Sequence, residues 1–163
     1  MPKEIERKFL IDLKKFNEVV DKTTLEKKII KQVYLPMEGT NVVRVRISNE
    51  EAYLTLKAST SSNLVRHEFE YEIPKDEANG IIETMCAGQI LIDKTRYILP
   101  THNSRYWEID FFNGENVGLV IAEIELGSVE EKIELPIWIL KEVTEDLRYN
   151  NYSLTETPYK NFS

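Results

Sequence analysis

The chain has 163 residues, a net charge of −7 and 42% hydrophobic residues, which predicts one globular domain and argues against a general nucleic-acid binder, since such proteins need a basic surface. Its single cysteine, Cys86, excludes an intramolecular disulfide. The charged N-terminus and the lack of a long apolar run argue against a signal peptide and a membrane span, so we expect a cytoplasmic protein with no membrane partner.

The chain begins with alternating apolar and charged residues at 4–11, which predicts a β-strand, and with an apolar stripe at 13–21, which predicts a helix. Four strands are predicted next, at 28–37, 41–48, 52–58 and 64–73. A helix at 75–86 leads to strands at 89–99, 102–112 and 118–127 and to a closing helix at 138–145. Residues 148–163 are expected to be mostly irregular. The predicted fold class is α+β, mainly β, in a single domain over residues 1–163.

The polar phase of these strands carries many ionised side chains. Successive side chains of a strand point to opposite sides of a sheet, so the charges share one face and the apolar residues share the other. The charged face holds Glu4, Glu6, Lys8, Arg44, Arg46, Lys57, Arg66, Glu68, Glu70, Glu72, Lys94, Arg96, Glu108, Asp110, Glu123 and Glu125.

An open sheet with one solvated face is the simplest explanation of such alternation. However, like charges two residues apart on one face repel each other unless something lies between them, as in Arg44 and Arg46 or Glu123 and Glu125. A closed eight-stranded antiparallel β-barrel, with charges inward and about three helices packed outside, accounts for the pattern better. Such a barrel has room for one small ligand, and isolated buried charges are too costly to be left unpaired.

The residue types of this interior indicate its contents. Carboxylates without a set of cysteines or histidines suit Mg²⁺ or Mn²⁺. Arginine and lysine bind phosphate oxygens through charge-assisted hydrogen bonds. Acidic and basic residues in one cavity therefore favour a metal–polyphosphate site inside the barrel. Because the sequence has no glycine-rich phosphate loop, we do not expect the phosphate to be held by such a turn before a helix.

Short motifs along the chain resemble one family. Residues 4–8, Glu-Ile-Glu-Arg-Lys, match the Glu-x-Glu-x-Lys motif of the CYTH, or triphosphate tunnel metalloenzyme, superfamily. The segments 43–46, 54–57, 68–72, 94–97, 107–110 and 122–126 follow in that family's order, and the tail at 142–150 is similar to the short bacterial members. The resemblance spans residues 2 to about 155 and implies an eight-stranded tunnel open at both ends.

The resemblance also implies an activity, namely metal-dependent hydrolysis of a linear triphosphate, with tripolyphosphate as the first candidate substrate and ATP as another. The implied metal ligands are Glu4, Glu6, Glu68, Glu70, Asp110, Glu123 and Glu125, although Glu68 and Glu70 could instead orient the basic residues. The implied substrate-binding residues are Lys8, Arg44, Arg46, Lys57, Arg66, Lys94 and Arg96. Glu4, Glu6, Lys8 and Arg96 are the candidates for direct roles in catalysis.

Three other functions remain open at this point. A class IV adenylate cyclase would use the ribose 3′-hydroxyl of ATP in place of water. A thiamine or nucleoside triphosphatase would need contacts to an organic group at the tunnel mouth. A non-catalytic polyphosphate-binding module is the third, although carboxylates facing an anion imply metals between them. We expect no nucleic-acid partner, and the resemblance implies a homodimer.

Overall fold

Nine strands and three α-helices make up the computed structural model, which describes residues 1–62 and 64–162. The strands are β1 (Lys3–Ile11), β2 (Glu26–Leu35), β3 (Val42–Ser48), β4 (Glu51–Ser59), β5 (Val65–Ile73), β6 (Ile92–Pro100), β7 (Tyr106–Phe112), β8 (Val120–Glu125) and β9 (Ile139–Glu142). The helices are α1 (Leu13–Val19), α2 (Lys75–Met85) and α3 (Asn151–Glu156). Within the described ranges, no helix is long and apolar enough to cross a membrane.

The eight predicted strands form a closed antiparallel barrel, which confirms the predicted fold. Around the ring the order is β5-β4-β3-β2-β6-β7-β8-β1, and pairing of β1 with β5 closes it. At this seam Glu4 lies opposite Arg66, whereas Glu6 and Lys8 lie opposite Glu125 and Glu123 of β8. Strand β1 therefore brings its charged residues to the junction of three strands.

The predicted helix at 138–145 is wrong, because this segment contains strand β9, which pairs with the last residues of β1. Beyond Ile5, β1 parts from β5, and its exposed backbone groups need another partner. The tail supplies it: Val143 N donates to Lys8 O at 2.8 Å, and Lys8 N donates to Thr144 Oγ1 at 3.0 Å. The expectation of an irregular tail is also partly wrong, since α3 forms behind an Asn150 cap that accepts from Tyr152 N.

Two apolar layers cover the outside of the barrel. One packs Phe9, Trp107 and Ile109 of the barrel against Phe16 of α1 and against Trp138. The other packs the outward residues of β2, β3 and β4 against α2 and the buried Cys86. These layers place the hydrophobic core outside the ring, as the alternation predicted, and leave the inward face to the charged residues.

One end of the barrel is filled rather than open. At this end the inward positions become apolar, and they pack against Leu154 of α3 and other residues of the tail. The inward residues concerned are Leu10, Tyr34, Val42, Ile92, Phe112 and Ile121. The implied tunnel with two open ends is therefore wrong for this chain, because the C-terminal segment covers apolar side chains that would otherwise meet water.

Candidate active site

A cavity of about 300 Å³ lies inside the barrel, and charged side chains make up most of its lining. The cations that line it are Lys8, Lys28, Arg44, Arg46, Lys57, Arg66, Lys94 and Arg96. The carboxylates are Glu4, Glu6, Glu51, Glu68, Glu70, Glu108, Glu123 and Glu125. Every residue predicted for the site lies on this lining except Asp110, which is buried behind it.

Most of the charged lining divides into two walls of opposite charge, and the exceptions are Glu51 on β4, Lys8 on β1 and Arg66 on β5. Strands β4, β3, β2 and β6 are consecutive around the ring, and we call their cations the basic wall: Lys28, Arg44, Arg46, Lys57, Lys94 and Arg96. Strands β7, β8, β1 and β5 complete the ring, and we call their carboxylates the acidic wall: Glu4, Glu6, Glu68, Glu70, Glu108, Glu123 and Glu125. Because strand order around the ring differs from order along the chain, the separation is a property of the topology.

Asp110 anchors the centre of the basic wall. Its two oxygens accept from Arg96 Nε at 2.7 Å, from Arg96 Nη2 at 2.8 Å and from Lys94 Nζ at 2.7 Å. Burial opposes ionisation of Asp110, but the two cations outweigh it and hold its pKa well below the ordinary value. Asp110 is fully buried, and both of its oxygens are already bound by cations, so its assignment as a metal ligand stays a prediction that requires these contacts to change.

The same cluster acts on the two cations. Burial lowers the pKa of Lys94 to about 8 despite the attraction of Asp110. Burial also opposes the charge on Arg96, but Asp110 and Glu108 raise its pKa well above the ordinary value. Arg96 additionally pairs with Glu108, so its guanidinium joins the two walls.

Two further cations form ion pairs with the acidic wall. Lys57 Nζ lies 2.7 Å from Glu4 Oε2 and 3.8 Å from Glu68 Oε1. Arg44 Nη2 donates to Thr55 Oγ1 at 3.0 Å and lies 3.2 Å from Glu70 Oε2. Burial works against the charge of Glu4, but Lys57 outweighs it and lowers the Glu4 pKa. Burial and the nearby Glu4 raise the pKa of Glu68 to about 7.

Some positive groups of the cavity have no anionic partner. Within residues 1–62 and 64–162, neither Arg46 nor Arg66 has a carboxylate within 4.0 Å. Over the same ranges, the buried Nε of Arg44 has no hydrogen-bond partner. Burial, followed by repulsion from Arg44 and Arg96, lowers the pKa of Arg46 to about 10. These groups leave positive charge available to an anion in the cavity.

The acidic wall has an excess of negative charge near the β1–β8 pair. Glu6 lies opposite Glu125, and Glu108 lies opposite Glu123. Burial and then repulsion from Glu4, Glu108 and Glu6 raise the pKa of Glu125. A divalent cation would relieve this repulsion, and carboxylate oxygens are ligands that Mg²⁺ and Mn²⁺ accept.

The carboxylates of the acidic wall do not form a complete metal site in this arrangement. Among the side chains described, no three of Asp, Glu, His and Cys are close enough together to hold an ion as they stand. Ion pairs account for this, since Glu4 is held by Lys57 and Glu123 lies 3.7 Å from Lys8 Nζ. The donor chemistry fits a hard divalent ion, and its binding requires these carboxylates to exchange a lysine for the metal.

Several residues in or next to the cavity were absent from the sequence prediction. Gln32 and Asn151 contact the cations of the basic wall, and Tyr149 O accepts from Lys8 Nζ at 3.4 Å. Gln32 shares the inward phase of β2 with Lys28, so the alternation of that strand contained the information needed to find it. Asn151 and Tyr149 lie in the tail, where no periodicity places them inside a barrel.

Comparison with known proteins gives consistent matches over nearly the whole chain. A family model described as a CYTH domain matches residues 2–159. An inorganic triphosphatase of Acetivibrio thermocellus is 43% identical over 162 residues, which cover 99% of each protein. An inorganic triphosphatase of Nitrosomonas europaea is 30% identical over 154 residues, which cover 93% of this chain and 95% of that protein. A crystal structure described as an inorganic triphosphatase has a TM-score of 0.63 at 28% identity and covers 95% of both chains.

Proposed function

The chain belongs to the CYTH domain family, and from this premise we propose that it hydrolyses inorganic triphosphate with a divalent metal ion. The observation that carries the proposal is a cavity inside the barrel in which a basic wall faces an acidic wall. A site for an anion alone needs only the basic wall, and a site for a metal alone needs only the acidic wall. Both together fit a polyphosphate that arrives with its counter-cations.

The basic wall, together with Arg66 of β5, binds the phosphates in this proposal. Arg46 and Arg66 offer positive charge without a carboxylate within 4.0 Å in the described chain, and Arg44 offers an Nε donor without a hydrogen-bond partner there. Arginine donates two hydrogen bonds in a fixed plane, which suits phosphate oxygens. Lys94 and Arg96 are held rigidly by Asp110, so they add charge at fixed points, and Lys57 completes the predicted set.

The acidic wall holds the metal in this proposal, and Mg²⁺ or Mn²⁺ is the expected ion. Glu4, Glu6, Glu123 and Glu125 are the first candidates as ligands, because Glu6 lies opposite Glu125 at the β1–β8 pair and all four line the same cavity. Glu68, Glu70 and Asp110 are the further candidates. A divalent ion, when bound, neutralises phosphate charge and makes a coordinated water more acidic.

The protein itself contributes positioning and electrostatic stabilisation. Water adds to a terminal phosphorus, one phosphoanhydride bond breaks, and diphosphate leaves while a proton is released. Lys8 is the only cation on β1 that lines the described cavity, and it lies 3.7 Å from Glu123. We place it beside the bond that breaks, with Arg96 stabilising charge on the transferred group. The filled end leaves one side for entry, which limits the water around the reacting phosphate.

The test is a comparison of substrates. The protein is incubated with tripolyphosphate, ATP or thiamine triphosphate and with Mg²⁺ or Mn²⁺, and the products are separated by ion chromatography. We expect phosphate and diphosphate from tripolyphosphate, at the highest rate of the three. Cyclic AMP from ATP would make the chain a cyclase, and tripolyphosphate that is bound but not cleaved would make it a binding module.

Glu123→Gln tests the acidic wall in the same assay. Glu123 is 6% exposed, and the amide keeps its size while removing the charge that a metal requires. We expect turnover to fall by about 10³-fold or more, the scale on which a catalytic site responds to loss of a charged stabilising group. The matched control is Glu115→Gln, which removes a carboxylate that pairs with Lys160 outside the cavity. Near-normal turnover in E123Q would remove Glu123 from the metal site.

A further inference from the structure

Gln32 is a neutral amide that lies directly behind the charged lining, in contact with Arg46. It is fully buried, and its Oε1 accepts from Arg46 Nε at 2.8 Å. Its Nε2 donates to Tyr34 Oη at 2.9 Å and to Asn151 Oδ1 at 3.3 Å. Because the Nε of arginine can only donate, the oxygen of Gln32 must face Arg46 and its nitrogen must face the other two residues.

Asn151 extends this chain of contacts to a second cation. Its Oδ1 accepts from Lys94 Nζ at 3.0 Å as well as from Gln32. An ammonium group has three hydrogens, and Asp110 and Asn151 account for two of those of Lys94. Lys94 borders the cavity although its side chain is fully buried, and we assign its third hydrogen to an oxygen of the substrate.

The acceptor on Lys94 comes from the C-terminal segment and not from the barrel. Asn151 is the first residue of α3, and Asn150, Asn151 and Tyr152 line the cavity beside the barrel strands. The segment that fills one end of the barrel therefore also provides a polar contact inside it.

Neutral acceptors hold a cation in place without cancelling its charge. Arg44 and Arg96 are fixed by carboxylates, whereas Arg46 is fixed by the amide of Gln32. Repulsion from Arg44 and Arg96 acts on Arg46, so without this hydrogen bond its guanidinium would turn away from them. Gln32 thus keeps a full positive charge directed at the cavity.

We propose that Gln32 and Asn151 are positioning residues for triphosphate binding, which hold Arg46 and Lys94 with their charges directed at the substrate. The inference rests on the proposed function for the identity of the anion. It makes the C-terminal segment a part of the binding site and not only a cover over apolar side chains.

Asn151→Leu tests the inference, because leucine has a similar size and accepts no hydrogen bond. We expect KM for tripolyphosphate to rise about tenfold to hundredfold, the effect of one hydrogen bond to a charged group, with a smaller change in kcat. Calorimetry with tripolyphosphate in metal-free buffer should show the same loss of affinity. Equal KM and equal binding in N151L and the wild type would overturn the proposal.

Asn116→Leu is the matched control. Asn116 is also buried, and its Oδ1 accepts from Tyr159 N at 2.8 Å, so it ties the same C-terminal segment to the barrel without touching a cation. We expect N116L to lower Tm and to leave KM within about twofold of the wild type. If N116L raised KM as much as N151L, the segment would act only by its attachment, and the positioning role would be lost.

Gln32→Glu separates orientation from charge. Glutamate still accepts from Arg46 Nε but neutralises it, and the Tyr34 hydroxyl can turn to donate to its second oxygen, whereas the bond to Asn151 is lost. We therefore expect a small decrease in Tm and a fall in tripolyphosphate affinity of about tenfold. A purely structural role of Gln32 predicts unchanged affinity, and that result would overturn the proposal for this residue. If the wild type binds tripolyphosphate without cleaving it, the proposed function fails while the binding comparison still decides this inference. If the wild type does not bind it, both fail.

Discussion

The centre of the basic wall and the β1–β8 pair of the acidic wall differ in how far their charges are satisfied within the chain. On the basic wall, Lys94 and Arg96 both pair with the buried Asp110, which restricts the conformations of their side chains. On the acidic wall, Glu6 and Glu125 lie opposite each other, and neither has an ion pair within 4.0 Å in the part of the chain that the structure describes. Paired charges stabilise the barrel. Unpaired like charges repel each other in the empty cavity, and a ligand of opposite charge removes this repulsion when it binds.

The comparison predicts the largest loss of stability where the basic wall is anchored. Asp110→Asn keeps the side-chain size but removes the negative charge that pairs with the buried cations Lys94 and Arg96. Breaking a buried pair by removing one partner costs about 3–5 kcal/mol. We expect the free energy of unfolding in urea to fall by about this amount.

Glu142→Gln is the control for this prediction. Glu142 forms a two-bond ion pair with Arg7 at 2.8 Å, but this pair is on the surface. Loss of an exposed pair costs about 1 kcal/mol or less. Similar losses in D110N and E142Q would mean that burial of the Asp110 cluster does not set its contribution.

The charges of both walls could be predicted from the sequence, but their separation could not. Two-residue alternation places Arg44, Arg46, Glu123 and Glu125 on the inward face once the barrel is closed. Whether those four residues face each other depends on the ring order, in which β2 pairs with β6 and β1 pairs with β8. Such long-range pairings leave no local pattern in the sequence.

The C-terminal segment was predicted least well, for a related reason. The apolar spacing at 138–145 fits a helix, but β1 has free backbone groups that turn part of this segment into β9. Asn151 lies inside the cavity only because β9 and Thr144 bring the tail to that end of the barrel. Tertiary contacts, and not local propensity, decide the structure there.

The next largest effect is expected at Glu68. A carboxylate whose pKa is raised in the folded protein makes stability fall as pH rises. Its pKa in the folded protein is raised to about 7 from an ordinary value of 4.5, mainly by burial and by Glu4. Between these two pH values the folded state therefore holds a proton that the unfolded state has lost, so stability falls as pH rises. In metal-free buffer we expect a decrease of about 1 kcal/mol from pH 5 to pH 7.5, after allowance for solvent screening.

Glu68→Gln should remove this slope, and the difference between the two urea titration series isolates it from all other groups. Asp110 acts in the opposite direction and at lower pH, because its pKa is depressed and its stabilisation is lost only below about pH 4. An identical slope in E68Q and the wild type between pH 5 and pH 7.5 would show that Glu68 titrates normally in the folded protein.

The smallest effect is expected at Glu125, a carboxylate of the acidic wall that lies opposite another carboxylate. Glu125→Gln removes one of the two opposed carboxylates of the β1–β8 pair. Like charges directly opposite each other on antiparallel strands are destabilising, so we expect the metal-free protein to become more stable by about 0.5 kcal/mol. Removal of a carboxylate from an ion pair would instead lower the stability of the protein.

Addition of Mg²⁺ or Mn²⁺ should make the wild type more stable than E125Q. The ion stabilises whichever state binds it, in proportion to the logarithm of its concentration above the dissociation constant. The wild type should therefore gain more in Tm than E125Q as either metal is added. Glu142→Gln again serves as the control, since its carboxylate lies outside the cavity, and its response to metal should match that of the wild type. If E125Q were less stable than the wild type without metal, Glu125 would have a stabilising partner in the folded chain, and the β1–β8 pair would not be a place of unsatisfied negative charge.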